Sequence, residues 1–189
     1  MSRALFIVDV QNDFTEGGAL GVSGGDAVAV GITAHLAAHA DDYALIVASR
    51  DWHEAEGSNG GHFSEQPDYV DSWPVHCVAG TAGAEYDPGL DISTITHHLY
   101  KGQGKPDYSL FQGITEAGET AAELIREHGI TDVDVVGIAT DHCVRASALD
   151  ALGVGVRVRV LRGLIAGVAP ESSAAALREL AEAGAEIAA

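Results

Sequence analysis

Six short apolar runs recur along the 189-residue chain: ALFIV (4–8), YALIVA (43–48), ITHHLY (95–100), VDVVGI (133–138), VRVRVL (156–161) and AEIA (185–188). Most are separated by segments with helical spacing. Val28, Ile32 and Leu36 step by four, and Leu124 and Ile125 sit mid-helix in ETAAELIREHG, with Gly129 just past its end. Val144, Ala148 and Leu152 share a face before Gly153, and a last helix runs from about Pro170 to Gly184. Strands alternating with helices predict a parallel sheet covered on both faces, and continuous apolar strands such as ALFIV are what a doubly buried sheet requires. The expected fold is one α/β domain over residues 1–189: three layers, α/β/α, around a mainly parallel sheet of about six strands. Residues 50–94 break the pattern. They are rich in Gly, Asp, His and Pro, and too long for a plain connection, which points to a functional excursion.

Charge narrows the partners. Asp and Glu number 28 against 10 Lys and Arg, a formal charge of −18 that repels polyanions, so neither nucleic acid nor an anionic membrane is an expected partner. No apolar run approaches the roughly 20 residues of a membrane span, and Asp9 interrupts the N-terminal apolar stretch, so a cytoplasmic protein is expected. Two cysteines cannot build a disulfide framework and should both be thiols.

Ligands of open α/β sheets bind beyond the carboxyl ends of the strands. Asp9 closes the first strand, Asp51 and His53 follow the second, Lys101 the third and Cys143 the fourth, and right-handed crossovers bring these ends to one rim. Cys143 opens what reads as a helix, where dipole and unpaired amides favour a thiolate nucleophile; the alternative is a buried cysteine packed as a small hydrophobe. Asp9, partly desolvated, suits proton transfer, or it caps a turn. The chain has eight arginines and only two lysines, so Lys101 at a strand end suggests a compact ammonium was needed, whereas Lys105 reads as a surface residue. Asp51, His53, His62 and His76 suit Zn²⁺, Mn²⁺ or Fe²⁺ with positions left open, although loops also tolerate solvated histidines. His35 and His39 read as solvated beside Asp41 and Asp42. At least one of His97 and His98 reads as structural, His128 as a helix-end charge, and Cys77 as a packed thiol.

VDVQNDF (8–14), SRDWH (49–53), SWPVHCVAGT (72–81), YKG (100–102) and VVGIATDHCV (135–144) together resemble the nicotinamidase/pyrazinamidase branch of the isochorismatase-like cysteine hydrolases. The resemblance runs in order from residue 4 to about residue 170. It implies that fold, a triad of Asp9, Lys101 and Cys143, and a metal site of Asp51, His53 and His76 with His62 in a fourth role. It further implies a cis peptide between Ile138 and Ala139, with the backbone N–H groups of Ala139 and Cys143 facing an oxyanion. Phe14, Trp73 and Tyr108 would line an aromatic slot beside Ile138 and Ala139. The implied reaction is metal-dependent hydrolysis of nicotinamide, and of pyrazinamide, through a cysteine thioester, by a monomer or small homo-oligomer acting on a small heteroaromatic amide. One divalent ion (Zn, Fe or Mn) is the expected cofactor. Other cysteine amidases, acting on carbamoyl or ureido amides, share the triad but usually lack this metal set. Isochorismatases cleave a vinyl ether without needing the cysteine. A metal- or redox-sensing module is the reading from a different class, with Cys77 its sole resolving thiol.

Overall fold

The computed structural model describes residues 2–189, and among these six strands form one sheet. They are Arg3–Val8 (β1), Leu45–Asp51 (β2), His97–Lys101 (β3), Asp132–Ile138 (β4), Arg157–Ala166 (β5) and Glu186–Ala188 (β6). The order is β3-β2-β1-β4-β5-β6, and every pairing is parallel. The helices are Gly25–His39 (α1), Ala121–Glu127 (α2), Arg145–Gly153 (α3) and Pro170–Glu182 (α4). The chain steps outward from β1 to β2 and β3, then crosses back to place β4 on the other side of β1. The reversal leaves a crevice at the carboxyl ends of β1 and β4, the position at which such sheets bind ligands.

Strand alternation builds two cores from one sheet. Ala4, Phe6 and Val8 face a layer with Leu124 and Ile125 of α2, Ala148 of α3 and Leu180 of α4. Leu5 and Ile7 face the opposite layer with Val28, Ile32 and Leu36 of α1. Both faces of β1 are therefore apolar, which is why its sequence does not alternate with polar residues. Helix α2 begins at a reciprocal cap: Thr120 Oγ1 accepts from the Glu123 amide at 3.3 Å and Glu123 Oε2 accepts from the Thr120 amide at 2.8 Å. Gly129, at φ +59°, takes the left-handed turn just past the helix end. No helix among the described residues is long and apolar enough to cross a membrane.

Three boundaries differ from the sequence reading. β2 runs on to Asp51, because Ser49, Arg50 and Asp51 are polar yet buried, each with a polar partner. β5 extends to Ala166: its register on β4 shifts between Val135 and Gly137, after which Ile165 and Ala166 pair again. The helix expected to open at Cys143 begins at Arg145, and a wide π-helical turn, Thr140–Val144, precedes it. Gly137 makes the junction possible. It lies at φ +115°, and a Cβ there would sit 2.1 Å from the Val8 carbonyl oxygen, so only glycine lets the ends of β1 and β4 approach this closely.

Candidate active site

Four strand ends deliver their polar residues to one point. Asp9, the first residue beyond β1, turns away at φ +47° and is wholly buried. Ser49 Oγ of β2 donates to its Oδ1 at 2.7 Å. Asp51 and Lys101 end β2 and β3 and are paired across the ladder. The Lys101 ammonium, 1% exposed, lies 2.9 Å from Asp9 Oδ2, donates to Asp51 Oδ1 and to the Asp107 carbonyl at 3.2 Å, and reaches Cys143 Sγ at 3.7 Å. The Lys101 ammonium thus bridges the carboxylate and the thiol, each at least 42 residues from it in sequence.

Burial decides their charges. It works to lower the Lys101 value, but Asp51 and Asp9 outweigh it and raise the ammonium well above its usual range. Burial raises the Asp9 carboxyl against the pull of Lys101. Burial also pushes the Cys143 thiol well up; Lys101 counters this, while the Asp9 and Asp51 carboxylates reinforce it. The sequence reading of a thiolate favoured by a helix N-terminus is therefore corrected. The sulfur sits in a buried π-turn ahead of the helix, where burial and the Asp9 and Asp51 carboxylates outweigh Lys101 and favour the neutral thiol.

A second cluster adjoins the first. Asp51 Oδ2 lies 3.5 Å from His53 Nε2 and 3.8 Å from His76 Nε2. The other ring nitrogens are tied to main-chain carbonyls: His53 Nδ1 to Gly102 and His76 Nδ1 to Pro74, both at 2.7 Å. A carbonyl only accepts, so each Nδ1 donates its N–H to it, which leaves each Nε2 as the ring atom turned toward Asp51 and available to a cation. Gly102 permits the contact, since a Cβ there would come within 2.4 Å of His53 Cε1. One ligand atom from each of His53, His62 and His76 falls within 4.8 Å of the others. His53 Nε2 and His62 Nδ1 are buried without a hydrogen-bond partner, and burial together with the neighbouring His53 and His76 pushes the His62 imidazole down to about 3. Buried nitrogens left unsatisfied beside a carboxylate are what a divalent cation would complete, and the donor set suits one.

Both clusters open into one cavity of about 440 Å³. Asp51, His62 and His76 line it with Cys143 and Ala139, and Phe14, Trp73 and Tyr108 supply aromatic walls. Trp73 Nε1 donates to the Tyr108 hydroxyl at 3.0 Å, and Phe14 packs on His76 with ring centres 5.5 Å apart. The Ile138–Ala139 peptide is cis. Ile138 itself packs in the core behind the cavity rather than on its wall. Lys105 stays at the surface beside Asp107, and Cys77 packs 3.8 Å from the Gly83 carbonyl, outside the histidine cluster. His98 Nδ1 meets the Tyr86 hydroxyl at 2.8 Å; His35, expected to be solvated, is half-buried against Tyr43.

Sequence reasoning missed several members. His142 reaches the cavity, its ring edge-on to Trp73 at 5.1 Å and stacked near Tyr108 at 6.1 Å. Its adjacency to Cys143 was the one available signal. Ser49 stands in the SRDWH stretch with no role expected of it, and Tyr69 and Val168, which also line the cavity, come from segments with no motif.

A family model described as the isochorismatase domain matches residues 3–189. The nicotinamidase/pyrazinamidase of Mycobacterium tuberculosis is 50% identical over 185 residues, covering 98% of this chain and 97% of that protein. The crystal structure of the pyrazinamidase of Pyrococcus horikoshii in complex with zinc has a TM-score of 0.83 at 38% identity and covers 99% of this chain and 98% of its own. That of PnC1 from L. infantum in complex with nicotinate has a TM-score of 0.82 at 33% identity, over 99% and 92% respectively. Matched along almost its whole length, this protein belongs to the isochorismatase family, on its nicotinamidase/pyrazinamidase branch.

Proposed function

We propose that this protein hydrolyses nicotinamide to nicotinate and ammonia, and pyrazinamide to pyrazinoate, with Cys143 as nucleophile. The observation that carries the reading is that Cys143 shares one aromatic-walled cavity with Asp51, His62 and His76, while Lys101 stands 3.7 Å behind its sulfur. A flat ring fits between Phe14, Trp73 and Tyr108, with its amide at the sulfur.

Asp9 takes the proton from Sγ as the sulfur attacks the carboxamide carbon. The oxygen gains the electron pair of the carbonyl π bond and rests on the backbone N–H groups of Ala139 and Cys143. As the C–N bond breaks, Asp9 returns the proton to the departing ammonia, leaving a thioester. Asp9 then accepts a proton from a water whose oxygen attacks the thioester carbon; as the C–S bond breaks, Asp9 passes that proton to the departing sulfur, restoring the thiol and its own carboxylate and releasing the acid. Lys101 stays charged throughout and holds Asp9 in line. A bound divalent ion (zinc, iron or manganese), held by Asp51, His53, His76 and His62, would supply a Lewis-acid anchor for the ring nitrogen.

The test is ammonia release from nicotinamide by the purified, metal-loaded protein, with nicotinate measured in parallel. Equimolar products support the reading. Turnover of a ureido or carbamoyl amide, with none of nicotinamide, would replace it with another amidase of the same superfamily.

A further inference from the structure

We infer that two buried side-chain amides, Gln11 and Asn59, are positioning residues that clamp the two ends of the Asp51–Glu54 segment and so set the geometry of the metal ligands it carries. The inference rests on reading Asp51, His53, His62 and His76 as a metal site.

The main-chain ladder between β1 and β2 ends at Ile7–Ala48, because Asp9 turns β1 away, yet β2 continues to Asp51. The backbone of Asp51 on that side meets a side chain instead. Gln11, wholly buried, accepts from the Asp51 amide at 2.8 Å and donates to the Asp51 carbonyl at 2.9 Å, and its Nε2 also reaches the Ala84 carbonyl at 2.8 Å. Its carboxamide imitates the missing strand residue.

Asn59 repeats the device three residues on. It is 3% exposed; its Oδ1 accepts from the Glu54 amide at 2.9 Å and its Nδ2 donates to the Glu54 carbonyl at 2.9 Å. The same Oδ1 accepts from Gly104, two residues past the Gly102 that orients His53, at 3.2 Å. The backbone carbonyl of Asn59 accepts from the His62 amide at 3.3 Å. One side chain therefore ties together three pieces: the segment bearing Asp51 and His53, the turn bearing His62, and the loop after Lys101. A carboxamide alone among common side chains offers a donor and an acceptor in the spacing of a peptide, so neither clamp survives exchange for a carboxylate.

Groups that orient metal ligands are typically worth about 10- to 100-fold in metal affinity. Asn59 sits at φ +46°, which glycine also adopts, so Asn59→Gly removes the clamp and keeps the turn. Gln11→Glu exchanges only the donating nitrogen. Each variant, with the wild type, is titrated with Zn²⁺ against a chromophoric chelator, and the Tm of the metal-free protein is measured alongside. The expected result is Zn²⁺ binding weakened about 10- to 100-fold in each folded variant. If one variant fails to fold, the other decides. Zn²⁺ affinity within twofold of wild type, even with a lowered Tm, makes the amides merely structural and overturns the inference. A wild type that binds no Zn²⁺ would instead sink the metal reading, and the clamp with it.

Discussion

The carboxylate of Asp51 divides its two oxygens: Oδ1 accepts from the Lys101 ammonium, while Oδ2 faces His53 Nε2 at 3.5 Å and His76 Nε2 at 3.8 Å. Asp51 and Lys101 are register partners at the ends of β2 and β3, so the ladder itself enforces their contact. Burial works to raise the Asp51 carboxyl, but Lys101 and the two histidines hold it well below the usual range. Asp51 is therefore held as a carboxylate, and it joins the histidine cluster to the Asp9–Lys101 pair.

Asp51→Asn keeps the shape and removes that charge. Metal content measured by elemental analysis should fall below stoichiometric, and kcat/KM for nicotinamide should drop at least about a hundredfold. Full metal occupancy in the variant would mean that the histidines suffice.

Lys101→Met leaves Asp9 and Asp51 buried without their cation. Breaking a buried ion pair from one side costs about 3–5 kcal/mol, to be read from urea unfolding near neutral pH. Lys101→Arg should not restore stability, since a planar fork cannot replace a compact ammonium contacting Asp9, Asp51 and the Asp107 carbonyl.

Cys143→Ala should lower turnover at least about a thousandfold while leaving metal content unchanged, because the sulfur contacts Lys101 rather than the histidine cluster. Ammonia release and elemental analysis on the same sample separate the two effects. Wild-type turnover would remove Cys143 from the mechanism.

Away from the site, Asp132 is tied to Arg157 by two bonds of 2.8 Å. Arg157 and then Thr131 lower its carboxyl from 3.8 to about 2. Between these values the unfolded chain binds more protons than the native one, so stability rises with pH across this range. The contribution is whole above about pH 4 and is lost as pH falls through about 2. Asp132→Asn should therefore be less stable than wild type at pH 7, with the difference closing between pH 4 and 2 in denaturant melts. A constant difference across that range would assign the loss to packing.

Much of this protein was legible without coordinates. β1 and β4 could be read directly, since strands buried on both faces must be apolar throughout, and the strand-end rule gathered Asp9, Lys101 and Cys143 at one rim before any distance was known. β2 was harder, because Ser49, Arg50 and Asp51 look like loop residues until their partners are seen. Arg50 lies among the rings of Trp52, Tyr86 and Tyr100, each within 4.9 Å, and pairs with Glu85 at 2.7 Å.

The pattern of apolar runs and the chemical types at their ends determined, by themselves, the architecture and the inventory of the site, because both follow from local periodicity and strand polarity. Tertiary structure alone decided the protonation of that inventory and its support. A thiol's charge depends on what desolvates it, so Cys143 could be judged only once its burial beside Lys101 and Asp9 was known. Gln11 meets the Asp51 backbone 40 residues away, Asn59 meets Gly104 45 residues away and the Gly102 carbonyl meets His53 49 residues away, and no local pattern reveals which peptide a buried side chain will meet.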